Sequence, residues 1–206
     1  MGAITRAFAN NILTSGNFDA SALSGTLPSL DGSSLTNVGS LVKISNTTIT
    51  SDVSDVSLEP ANFTDYKVYC IIINRLQFGS DNMNMRMTLK DTSGTYKADE
   101  YASRTGDGNP ASSSYFVLSW DNVGNNLLGS DIYEDYSAQI FLSGFEVNRR
   151  MRYWGNCSYG DTSSVKRSFD IGGGTNHVTE VQGLKFAGSS GVLKSGQITL
   201  YGVVTG

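Results

Sequence analysis

The sequence predicts an all-β chain, an antiparallel β-sandwich of jelly-roll type preceded by an extended N-terminal arm with a short helix. Three observations predict it. Charged residues make up only 17% of the 206, against 23 glycines and abundant Ser, Thr and Asn, a balance that suits short strands and tight turns better than helical bundles. From Leu41 onward, about eight to ten β-prone runs are separated by Gly, Pro, Asn and Asp clusters, with no helices alternating between them. Met83, Met85, Met87 and Leu89 alternate with Asn84, Arg86, Thr88 and Lys90, the period-2 pattern of a strand with one face in a core and one in water.

Taken in order, Gly2–Leu13 is the one segment with helical spacing. Ile4, Phe8 and Ile12 fall at i, i+4 and i+8 and make a single apolar stripe, which reads as a short helix that docks on a partner, with a frayed terminus as the alternative reading. Asp19–Val42 follows and repeats on itself with a shift of twelve: Asp19/Asp31, Ser21/Ser33 and Leu23/Leu35 are identical. Each unit reads as a turn and a short β-prone run with one buried leucine. Stacked repeats need about three or more copies to bury their apolar faces. Two copies are present, so the missing neighbours are expected from other copies of the chain, with Leu23, Leu27, Leu30 and Leu35 packed around a shared axis. A flexible Ser/Gly linker is the alternative reading of the same stretch.

Leu41–Ile44, Asn46–Thr50 and the Val53, Val56, Leu58 set before Pro60 read as strands. Tyr66–Ile73 is the most apolar run and predicts a central strand covered on both faces. Asp91–Ser114 predicts a long polar loop with at most one short strand around Tyr96–Tyr101. Tyr115–Trp120, Ala138–Leu142, Arg150–Trp154, Val165–Ile171, Thr179–Phe186 and Gly196–Val204 complete the strands, and Gly183 marks a β-bulge. The expected organisation is an arm, 1–42, and a sandwich domain, 43–206.

The chemistry is sparse. A net charge of −4 and a pI near 4.9 argue against nucleic acid as a partner, which calls for a basic face. No run reaches the length of a membrane span, and the N-terminus lacks the pattern of a secretory signal, so no membrane insertion is expected. Cys70 and Cys157 have no metal-ligand or redox spacing. His177 sits in a stretch, Gly172–Val178, that reads as a loop, and no nucleophile-elbow pattern precedes a serine. Gly172-Gly173-Gly174 lacks the lysine of a phosphate loop, and Asp81-Asn82-Met83-Asn84 lacks the glycine and glutamate of a calcium loop. The sequence therefore predicts no catalytic residue, metal or cofactor.

Aromatic residues are the better lead. Trp120, Tyr133, Tyr136, Tyr153, Trp154 and Tyr159 fall at strand ends or in adjoining loops, where rigid rings stack on sugars or anchor protein contacts. The first five are the candidate receptor or glycan contacts, with core packing as the alternative for Trp120 and Trp154. In Arg149–Trp154, strand spacing places Arg150 and Arg152 on one face and Arg149, Met151 and Tyr153 on the other.

ITRAFANNI at 4–12, FDASALSGTLPSLDGSSLTNV at 18–38 and the closing ITLYGVV at 198–204 together resemble small virion proteins of tailed bacteriophages, marine ones especially. In that family an arm of the type LTGTLPALDGSxLTGV precedes a trimeric β-domain that faces a receptor or decorates the capsid. Asn37 stands where the family often has glycine. The resemblance implies a homotrimeric tail fibre or receptor-binding protein of the virion, assembled in the bacterial cytoplasm. It implies contacts with a tail adaptor, tail hub or major capsid protein through the arm, and with a host surface glycan through the sandwich. A capsid decoration or head-fibre protein is the alternative it leaves open, and a glycan-degrading tailspike enzyme a more distant one.

Overall fold

The computed structural model describes residues 41–204 apart from 61–62, 64, 95–100, 106–110, 114, 120–127, 132, 147 and 176–179, with backbone alone for 101–105 and 111–113. The predicted helix with Ile4, Phe8 and Ile12, the stalk leucines Leu23, Leu27, Leu30 and Leu35, Trp120 and His177 lie outside the described residues.

Twelve strands follow one another with no helix among the described residues: β1 (Leu41–Ile49), β2 (Asp55–Leu58), β3 (Val68–Phe78), β4 (Met85–Asp91), β5 (Tyr101–Thr105), β6 (Ala111–Ser113), β7 (Phe116–Val117), β8 (Tyr136–Ser143), β9 (Arg152–Gly160), β10 (Lys166–Thr175), β11 (Val181–Gly188) and β12 (Leu193–Val203). They form two antiparallel sheets. The large one has the order β1-β12-β3-β8-β9-β10-β5-β6 and the small one β2-β11-β4-β7. β1 begins at Leu41, as the reading of Leu41–Ile44 as strand expects, with Leu41 paired to Val203 and Val42 to Gly202.

A single core joins the sheets in a sandwich-like arrangement. Alternation supplies its residues: Tyr69, Ile71 and Ile73 of β3, Ile140 and Leu142 of β8, and Ile198 and Leu200 of β12 on one side, with Met85, Met87 and Leu89 of β4 and Leu184 and Phe186 of β11 on the other. Each such side chain taken fully out of water contributes about 1.5–3 kcal/mol. The methionine stripe thus packs as its period predicts. The bulge at Gly183 is also present, as a register shift between Val181 and Gly183 against β4.

Several expectations are corrected. Tyr136 and Tyr153, read as surface contacts, are 0% and 2% exposed. Period-2 spacing from Tyr136 through Ala138, Ile140 and Leu142, and from Met151 to Tyr153, turns both rings inward. Their phenols find partners there: Tyr136 Oη donates to the Leu118 carbonyl at 2.6 Å and Tyr153 Oη to the Val117 carbonyl at 3.1 Å. Two hydroxyls of the large sheet thereby hold the short strand β7 of the small one. Tyr159 is buried as well.

The stretch expected to be a loop around Gly172 is strand. Gly172–Gly174 pair with Arg152–Trp154 of β9 on one side and with Ala102–Arg104 of β5 on the other. The same pairing puts β5 and β6 where one short strand at most was expected, because residues facing glycines are held by main-chain bonds and need no apolar pattern of their own. Finally, β3 is covered on both faces only in part. Cys70 is buried, while Ile72 is half-buried on the outer side of the large sheet.

Candidate ligand-binding surface

The outer face of the large sheet is graded along its strands. Near the start of β1 the register aligns Lys43, Tyr201, Cys70, Phe141, Trp154 and Gly172 in one cross-strand row. Phe141 and Trp154 stack there with ring centroids 5.9 Å apart and planes 16° from parallel, and Trp154 keeps 45% of its surface exposed. The next row is Asn46, Thr199, Ile72, Gln139, Asn156 and Asp170, in which the Thr199 hydroxyl donates to Asn46 Oδ1 at 2.6 Å. Beyond it come Thr48, Gln197 and Asn74, and beside them Ser137, Ser158 and Ser168. The face runs from aromatic to wholly polar.

At the polar end two irregularities meet. The β3–β8 register slips between Ile73 and Leu76, and the β12–β3 register slips between Ser195 and Gln197. Arg75, inside the first slip, has φ +51, and Gly196, inside the second, has φ +128. A Cβ on Gly196 would lie 2.8 Å from the Arg75 carbonyl and 2.7 Å from Leu76 Cα, so only glycine fits opposite this bulge. The Arg75 N–H donates to Ser137 Oγ at 3.1 Å, and its Nε donates to Asp135 Oδ2 at 2.8 Å. These bulges open a cleft of about 370 Å³, lined chiefly by Thr48, Asn74, Arg75, Gln77, Asp135 and Gln197.

Asp135 also borders a second hollow, of about 150 Å³, with Tyr133, Lys166 and Arg167. Tyr133 is 80% exposed. The Glu134 N–H donates to the Asp131 carbonyl at 2.9 Å. The buried Glu134 carboxylate accepts from the Asp131 N–H at 3.0 Å and from the Ser164 hydroxyl at 3.1 Å. Gly129 and Gly160 leave the room this carboxylate fills.

Behind Arg167 lies the fully buried carboxylate of Asp161. Its Oδ1 accepts the N–H groups of Ser163 and Val165, each at 2.9 Å, and its Oδ2 accepts Arg167 Nε at 2.8 Å and Nη2 at 2.7 Å. Burial alone would raise its pKa. The bonds from Arg167 and the two backbone N–H groups outweigh it and hold the carboxyl below the usual range.

Of the aromatic candidates, Tyr133 and Trp154 are at the surface, at different ends of one sheet face. The sequence reading missed Arg75, Asp135, Asn74 and Gln197. Its one available signal was the polar pair Asn74-Arg75 breaking the apolar run of β3, with Gly196 breaking the closing strand. Among the described residues, no cluster of His, Cys, Asp and Glu is arranged to hold a metal ion. No protein-family model matches the chain, and a search of curated proteins finds none that matches it.

Proposed function

We propose that the chain is a structural virion protein of a tailed bacteriophage, a homotrimeric tail fibre or receptor-binding protein whose arm, ahead of β1, docks on the particle while the sandwich is displayed to the host. The observation that carries this reading is the strand order. From β1 to β4 the chain changes sheet at every step, and β7, β8, β11 and β12 continue the exchange. With the strands β5, β6, β9 and β10 set aside, the orders β1-β12-β3-β8 and β2-β11-β4-β7 support a jelly-roll reading of two Greek keys. Jelly rolls serve as capsid and lectin domains. A fold-level analogy does not carry a function by itself, so it is joined here to the phage-type arm motif at 18–38.

Two further features support assembly with other copies. Leu41 and Val42, where the arm enters edge strand β1, are each 42% exposed, and Val204 beside them is 41% exposed. An apolar sheet edge left bare invites pairing or cover.

The test has two parts. Sedimentation of the full chain should give a trimer at micromolar concentration, and residues 41–206 alone, which keep β1 whole, should lose that association. Imaging of particles that carry the chain should place it at the tail. A capsid position would transfer the reading to a decoration protein, and a monomeric chain absent from particles would end it.

A further inference from the structure

The Arg75 bulge is poorly explained by stability. A non-glycine residue in the left-handed region costs about 1–2 kcal/mol. The Arg75–Asp135 pair offsets little of it, because the Arg75 side chain is 75% exposed and such pairs contribute at most about 1 kcal/mol. What the strained turn does achieve is a cleft, and an ion pair held across its mouth. Strain of this kind collects at binding sites.

We propose that this cleft binds a neutral oligosaccharide, with the Arg75–Asp135 pair receiving a vicinal diol and the Tyr133 ring stacking on an adjoining sugar. The chemistry of the lining selects this ligand. Arg75 presents further N–H donors and Asp135 further lone pairs, so two neighbouring hydroxyls can each give and take a hydrogen bond. Asn74 and Gln197 add planar amides that do both, and Thr48 adds a hydroxyl. The pair has no net charge, which favours a neutral ligand over an anionic one. Its volume of about 370 Å³ lies at the small end of the ~300–1,000 Å³ typical of small-molecule sites, enough for a short glycan. Tyr133, 80% exposed beside Asp135, supplies a large flat surface on which a sugar ring can stack.

The cleft lies at the Ile49 end of β1. At ~3.3 Å per residue, Thr48 is about 23 Å along the strand from Leu41, where the arm enters. This assignment rests on the display reading for the source of the glycan.

The full chain is titrated against short manno-, gluco-, galacto- and N-acetylglucosamine-based oligosaccharides and against uronic-acid and sialyl counterparts, by calorimetry and on a glycan array. At least one neutral member should bind. Tyr133→Ala and Gln197→Ala should each weaken it about 10-fold, consistent with loss of one ring stack or one amide contact. Trp154→Ala, about 13 Å further along the same face, should leave it unchanged. The altered side chains, Gln197 in the cleft and Tyr133 beside it, both reach solvent, and unaltered melting curves will show that the fold is retained. Binding to no neutral member, preference for the acidic ones, or loss on Trp154→Ala without loss on Tyr133→Ala would each overturn the site. Those results leave trimer formation and particle position untouched, while a monomeric chain that still binds neutral sugar would spare the site and remove the display reading.

Discussion

Replacing Asp161 with alanine tests the clearest energetic claim of the fold. The carboxylate is wholly buried and receives two backbone N–H groups and two guanidinium contacts. Removing one member of a buried ion pair costs about 3–5 kcal/mol when the other stays buried. Arg167 is 32% exposed, so its freed charge can turn to water, and Ser163 and Val165 lie at the surface. The lower end, about 3 kcal/mol, is therefore expected, which for a domain of this size is a fall in Tm of roughly 6–12 °C. Asp161→Asn keeps an oxygen for the two N–H groups and loses the charge, so it should cost about half as much. Differential scanning calorimetry of both variants at neutral pH measures this. A loss below about 1 kcal/mol for the alanine variant, or equal losses for the two, would refute the division between turn bonds and ion pair.

Acid should act through the same group. Its folded-state pKa is depressed, so its contribution is complete above the unfolded value near 3.9 and fades as pH falls through the lower folded value. Melting curves from pH 6 down to pH 2 should steepen below about pH 4 in the wild type and less so in Asp161→Asn. Tyr136→Phe and Tyr153→Phe should each cost about 1–2 kcal/mol in urea unfolding, since each removes a buried hydrogen bond from the large sheet to β7 or the residue after it. Cost-free variants would show that the hydroxyls do not hold β7. Gly155→Ala should be severely destabilising, because its Cβ would meet the Gln139 carbonyl at 2.0 Å, whereas Gly172→Ala, with its nearest contact at 3.6 Å, should fold normally; relative yields and Tm values decide. Burial pushes the Cys157 thiol up to about 12 and raises Cys70 as well, so a thiol reagent at pH 8 should label neither until the chain is unfolded.

What the sequence made legible follows from where side chains carry the information. Met83–Leu89 could be read because one strand face is apolar at every second residue, and Gly183 because a lone glycine breaks such a pattern. Tyr136 and Tyr153 were misplaced because a tyrosine ring suits core and surface equally. Only the spacing to Ile140 and Leu142, or to Met151, tells them apart. The strands β5 and β6 escaped notice because their partner glycines in β10 contribute main chain alone. The cleft was the least legible part. Arginine has no preference for a left-handed backbone, so beyond the polar break at Asn74-Arg75 nothing local announces the turn, for which Gly196, distant in sequence on the adjoining strand β12, makes room.

That arrangement has an evolutionary corollary. The hollow is moulded by main chain, by two slipped registers and one obligatory glycine, while the groups that would touch a ligand are side chains with little part in holding the mould. Asn74 and Gln197 could be exchanged for other polar residues, whereas Gln77 is tied into the mould by its amide, which donates to the Ser130 carbonyl at 3.4 Å and accepts from Ser195 Oγ at 3.2 Å. A scaffold built this way separates the shape of a recognition surface from its chemical wording, so a new binding preference lies a few substitutions away along a path on which every intermediate still folds.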